Sequence, residues 1–149
     1  MKLQLYKNEN ISETEIDIRY NTVDKPLERV ILYIEQQEHF IEGVIDNNLY
    51  HISLNDILYF EIIDRKTFIY TQDNVYECKK NLLTLEQELI GTTVIRIGKN
   101  VLLNLSFLKC VQPYPNHRLL AILENKEKLI VSRKYISVLQ EKIRGLYYA

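Results

Sequence analysis

Apolar residues recur at period two through the first twenty positions: Leu3 and Leu5, then Ile16, Ile18 and Tyr20, either side of a polar stretch at Lys7–Ser12. That alternation predicts two short strands around a turn. The period then changes to that of a helix. Leu27, Val30, Ile31 and Ile34 make one apolar stripe, Asp24 stands where an N-cap belongs and Pro26 fits the first turn. Glu28, Arg29, Glu35 and Glu38 take the wet face. Residues 1–42 are thus expected to form a small ββα extension, with Gly43 at the boundary of a second unit, 43–149. The helix stripe either meets a second copy or partner, or covers the extension's own two strands.

From residue 43 onward short strand-like runs dominate. Gly43–Ile45 and Leu49–Ile52 flank Asp46-Asn47-Asn48, a tight-turn sequence because Asn tolerates positive φ. Ile57–Ile63 ends in Asp64-Arg65-Lys66, and Thr67–Thr71 and Val75–Cys78 flank Gln72-Asp73-Asn74. A helix is expected over 81–90, capped by Asn81 or Thr84, with Leu82, Leu83, Leu85, Leu89 and Ile90 apolar. Strand text resumes at Thr93–Ile97 and Val101–Asn104 around Gly98-Lys99-Asn100, and a hairpin joins Arg118–Leu123 to Lys128–Val131. The last helix should run from Arg133, with Ser132 as N-cap and Gly145 as the stop. The expected fold class is mainly β: antiparallel strands with a few short helices.

Composition narrows the class. At 149 residues and 46% hydrophobic, the chain fits one domain, or one with a small appendage, and is too apolar for a disordered tail. No apolar run approaches the ~18 residues of a membrane span, and the first residues lack the apolar core of a signal peptide. Two cysteines are too few for a disulfide scaffold, so a soluble, cytoplasmic protein is expected.

Candidate chemistry is sparse. His39, His51 and His117 lack metal-ligand spacing, and four glycines cannot build a phosphate loop. Cys78 and Cys110 both fall in strand-like text and read as buried, inert thiols. Asp56, Glu61 and Asp64 have ordinary solvated placements, and the eleven tyrosines are too dispersed for a base-stacking platform. No metal, cofactor or catalytic activity is indicated.

Charge is more informative. Residues 1–42 carry a net charge of −4 and residues 43–149 a net charge of +3, with cations paired at Arg65-Lys66, Lys79-Lys80, Arg96 with Lys99, and Arg133-Lys134. Arg133 and Lys134 fall in the expected first helical turn, where the macrodipole disfavours cations by about 0.3–1 kcal/mol each when exposed. An anion docked there would gain from both charges and the free N–H groups. Lys and Arg at strand tips suit phosphates, and Asn and Arg can also read base edges.

Four segments in order then show a family likeness. Asp56-Ile57-Leu58-Tyr59-Phe60-Glu61, Leu83-Thr84-Leu85-Glu86-Gln87-Glu88-Leu89, Val94–Leu105 with Arg96-Ile97-Gly98-Lys99-Asn100 at its centre, and Val131-Ser132-Arg133-Lys134-Tyr135 resemble the LytTR domain of bacterial response regulators. The resemblance implies an elongated antiparallel β fold whose loops enter successive DNA grooves. It further implies a sequence-specific transcriptional regulator of promoter direct repeats, acting as a homodimer on double-stranded DNA. By position, Arg65, Lys66 and Thr67 would approach DNA and Arg96, Lys99 and Asn100 would supply backbone and base contacts. Arg133 would read a base, Lys134 would meet phosphate, and Asn104 would hold a turn. The Gly98-Lys99-Asn100 loop departs from the family's usual His or Ser before the basic residue and Ser after it. Residues 1–42 are too short for a receiver domain and resemble the extension of stand-alone regulators, a subgroup often restrained by a small membrane protein. The rival reading is a protein-interaction or ligand-sensing module on the same fold.

Overall fold

The computed structural model describes residues 1–148; Ala149, the last residue of the expected second unit, lies outside the described residues. The first element is a helix, α1 (Lys25–Gln37), started by Asp24, whose carboxylate accepts from Leu27 N at 2.9 Å. No strand precedes it. Residues 1–24 are exposed throughout, Ile16 and Tyr20 each to 60%. The two strands expected from their alternation do not form: residues 1–24 pair with no strand of their own chain, so their alternating apolar positions stay in solvent. The α1 stripe consequently covers no strands. It packs on a 3-10 turn at Leu54–Asp56 and on the last helix, with Leu27 buried and Val30 left 37% exposed.

Ten strands follow, all paired antiparallel. β1 (Phe40–Ile45), β2 (Asn48–Ser53), β3 (Ile57–Ile63), β4 (Lys66–Thr71), β5 (Val75–Cys78), β6 (Val94–Gly98) and β7 (Val101–Asn104) form one sheet in the order β2-β1-β5-β4-β3-β7-β6. β8 (Leu108–Tyr114), β9 (Arg118–Leu123) and β10 (Lys128–Val131) form a second, β10-β9-β8. β1 starts three residues before Gly43. That glycine is needed where β1 crosses β5: a Cβ there would come within 2.6 Å of Tyr76 Cβ.

The run Ile57–Phe60 is buried at every position because the large sheet is covered on both faces at its centre. On one face, Ile57, Phe60, Ile69 and Leu102 pack with Leu82, Leu85 and Leu89 around α2 (Leu82–Glu88). Asn81 caps that helix, accepting from Thr84 N at 2.8 Å. On the other face, Leu58, Tyr59, Ile97 and Leu103 meet Ala121, Leu123 and Val131 of the second sheet and Leu139 of α3 (Ile136–Tyr147). α3 continues through Gly145 to Tyr147 and does not stop at the glycine.

Asn104 is the polar centre of this construction. Fully buried, its amide donates to Leu54 O at 3.2 Å and Ile57 O at 2.8 Å, and its oxygen accepts from Thr93 Oγ1 at 2.6 Å and Ser106 N at 3.1 Å.

Candidate nucleic-acid interface

Antiparallel pairing sends alternate strands to the same end of a sheet, and here that rule collects the cations. β5 ends, β4 begins, β3 ends, β7 begins and β6 ends on one side, so residues 78–80, 64–66 and 98–100 share it. At about 4.8 Å per strand spacing these five adjacent ends span roughly 19 Å, wider than the ~12 Å of a DNA major groove. Two backbone bonds fix the tips to one another. Ile62 N donates to Asn100 O at 2.9 Å, joining the first two loops, and Ser132 N donates to Ile97 O at 2.9 Å, bringing the segment after β10 beside them. Ser132 Oγ also lies 3.5 Å from where a Cβ on Gly98 would stand.

Arg65, Lys66, Lys99, Asn100, Arg133 and Lys134 are all exposed at this end, and none of the five cations takes part in an ion pair among the described residues. Arg65 sits in a two-residue turn with Asp64, at φ 67° and 50°. This is the geometry of a type I′ hairpin, for which Gly is the usual second residue. Holding an arginine there costs about 1–2 kcal/mol of backbone strain.

Two expected contact residues are placed differently. Thr67 is only 6% exposed, because its register opposite Ile62 and Cys78 turns the side chain into the sheet. Arg96 is turned back onto its own loop: Nε donates to Gly98 O at 3.2 Å, Nη2 to Lys99 O at 2.7 Å and Nη1 to Glu86 Oε1 at 3.1 Å. It ties the 98–100 tip to α2 and commits one donor of each guanidinium nitrogen to that task.

Arg133 and Lys134 do not occupy the first turn of an α-helix. They form a 3-10 turn, Arg133–Tyr135, that runs into α3, and the Ser132 hydroxyl makes no capping bond. The dipole conflict read from the sequence is therefore shifted outward by one short turn. Lys134 lies 5.6 Å from the centre of the Tyr135 ring.

Lys79 was missing from the sequence-based site. The pairing of Thr67 with Cys78 puts Lys79 beside Lys66, a relation only the register reveals. Its neighbour Lys80 is held by Glu88 at 2.8 Å. Cys110 is exposed on the edge strand β8, contrary to the buried thiol expected, whereas Cys78 is buried. No group of three or more potential metal ligands occurs among the described residues, and no helix is long and apolar enough to cross a membrane.

Exposed cations are carried on hairpin tips, and the three α-helices among the described residues are separated in sequence by strands, which defines a β-built module. A family model described as the LytTr DNA-binding domain matches residues 47–144, and the chain belongs to that family. An uncharacterized HTH-type transcriptional regulator of Staphylococcus aureus strain NCTC 8325 is 26% identical over 145 residues, covering 96% of this chain and 98% of the relative. Its counterpart in strain MRSA252 is 25% identical over the same length and shares. The solved LytTr DNA-binding domain of a methyl-accepting/DNA response regulator from Bacillus cereus superimposes with a TM-score of 0.66 at 20% identity, covering 70% of this chain and 95% of that one. The helix-turn-helix in the relatives' names has no counterpart among the described residues, where no two α-helices are consecutive elements.

Proposed function

We infer that this chain is a non-enzymatic, cytoplasmic transcriptional regulator that binds double-stranded DNA with sequence preference, as two copies on repeated promoter sites. The observation that carries the reading is the hydrogen-bonded convergence of three distant loops, bearing Arg65-Lys66, Lys99-Asn100 and Arg133-Lys134, into one exposed cationic row. In this reading Arg65, Lys66, Lys99 and Lys134 neutralise phosphates, while Asn100 and Arg133 reach base edges. Thr67 acts only as a core residue, and Arg96 acts through the loop it holds. The protein-interaction alternative would leave the same residues uncommitted to DNA.

The test is binding of genomic fragments across a salt series. With four to six phosphates engaged per protomer, log affinity should fall against log salt with a slope of about −0.9 per phosphate. Arg133→Ala should cost roughly 1–3 kcal/mol and blur sequence preference, whereas Lys134→Ala should weaken all sequences alike. A flat salt dependence overturns the reading.

A further inference from the structure

The segment before α1 has a strand's sequence without a strand's surroundings. Along 13–20, Glu13, Glu15, Asp17 and Arg19 alternate with Thr14, Ile16, Ile18 and Tyr20, giving one charged and one mostly apolar face. The apolar face is bare: Ile16, Ile18 and Tyr20 are 60%, 38% and 60% exposed.

The molecule also holds an open acceptor for such a segment. β8 is the outer strand of the smaller sheet and pairs only with β9, so its second side keeps unpaired N–H and C=O groups. Beside its first four residues, 108–111, lies a cleft of about 510 Å³ whose walls include Leu105, Leu108, Val111, Ile143 and Tyr147, with Lys109 and Glu124 at its polar part. Charge favours the match: residues 13–20 carry a net charge of −2, and residues 108–131, which build the small sheet, a net charge of +2. Length agrees too, since eight residues of strand reach roughly 27 Å and the seven of β8 roughly 23 Å. The helix that follows the segment is anchored on the wall of the same cleft, where Arg29 Nη1 donates to Leu146 O at 2.8 Å and the guanidinium lies 4.9 Å from the Tyr147 ring centre.

The geometry points to strand exchange between two copies of this chain, in which residues 13–20 of each add to the free β8 edge of the other and lay Ile16, Ile18 and Tyr20 into its cleft. Both halves of the junction are open within one chain, and a twofold axis closes both at once. The pairing needs no DNA, so it stands or falls separately from the DNA-binding reading.

The test uses the full chain without DNA. Sedimentation should find the wild type dimeric at micromolar concentration, and the double variant Ile16→Lys/Ile18→Lys, altered only at exposed positions, at least tenfold weaker in self-association. Cys110, the exposed thiol on β8, supplies a site-specific readout. An Ile18→Cys/Cys110→Ser chain, mixed with wild type and a short thiol-to-thiol linker, should give a cross-linked dimer containing one chain of each kind. A monomeric wild type overturns the proposal. So does cross-linking of Ile18→Cys to Cys110 within one chain, or of the arm-only variant chiefly to itself. DNA binding by chains that fail these tests would remove the exchange and leave the cationic interface intact.

Discussion

Gln36 and Thr93 exchange two hydrogen bonds: the Gln36 amide nitrogen donates to Thr93 Oγ1 at 3.1 Å, and Thr93 N donates to Gln36 Oε1 at 2.9 Å. Gln36 is 2% exposed, more deeply buried than any apolar residue of α1. Thr93 in turn donates to Asn104, so a polar chain runs from the N-terminal helix into the centre of the β core. The helix is therefore clamped to the core that carries the cationic loop tips.

Replacing Gln36 with Ala should cost about 1–3 kcal/mol, because it strands the buried Thr93 N–H without an acceptor. Urea unfolding should show a lower midpoint with an unchanged slope, and DNA affinity of the folded fraction should stay near wild type.

Arg96→Ala should reduce DNA affinity while leaving the fold cooperative, since the side chain organises the Gly98 and Lys99 carbonyls and lies partly outside the core. Loss of three charge-assisted bonds and of the ordered tip should weaken binding by roughly 1–3 kcal/mol. Glu86→Gln, which leaves the two loop bonds in place, should cost less. Equal losses from both variants would show that the ion pair, and not the carbonyl contacts, sets the loop.

Arg65→Gly should move stability and function in opposite directions. Relief of the left-handed backbone should raise stability by about 0.5–1 kcal/mol, and removal of the tip charge should reduce both affinity and the magnitude of the salt slope by about one phosphate. Thr67→Val, two residues away, should leave DNA binding unchanged within about 0.3 kcal/mol because that side chain faces the core.

The two thiols should differ sharply toward an aromatic disulfide reagent. Cys110 should react at once in the native protein. Burial pushes the Cys78 thiol above its ordinary ionisation range, so it should react only after unfolding, even at mildly alkaline pH.

Features encoded locally were legible in the sequence. The Asp24 and Asn81 caps and the turns at 46–47 and 64–65 follow from residues close together along the chain, whereas the structural role of Asn104 came from family resemblance and rests on bonds reaching back to Leu54 and Ile57. The grouping of Arg65-Lys66, Lys99-Asn100 and Arg133-Lys134 came likewise from family resemblance, and strand order supplies its physical cause. Features set by register or edge position were hidden. Thr67 points inward, Lys79 joins Lys66, and Arg96 folds back to Glu86, none of which spacing alone can reveal. β8 was overlooked because Lys109, Gln112 and Pro113 mark it as an edge, where alternation fades. Residues 1–24 gave the converse error: an alternating pattern that pairs with no strand of its own chain.

The bonds from Ile62 N to Asn100 O and from Ser132 N to Ile97 O also bear on how such a protein can change over evolution. An insertion or deletion in any one of the three tips would pull its neighbours out of line. New target preferences should therefore arise by exchanging side chains on loops of constant length, as type is swapped in a fixed frame.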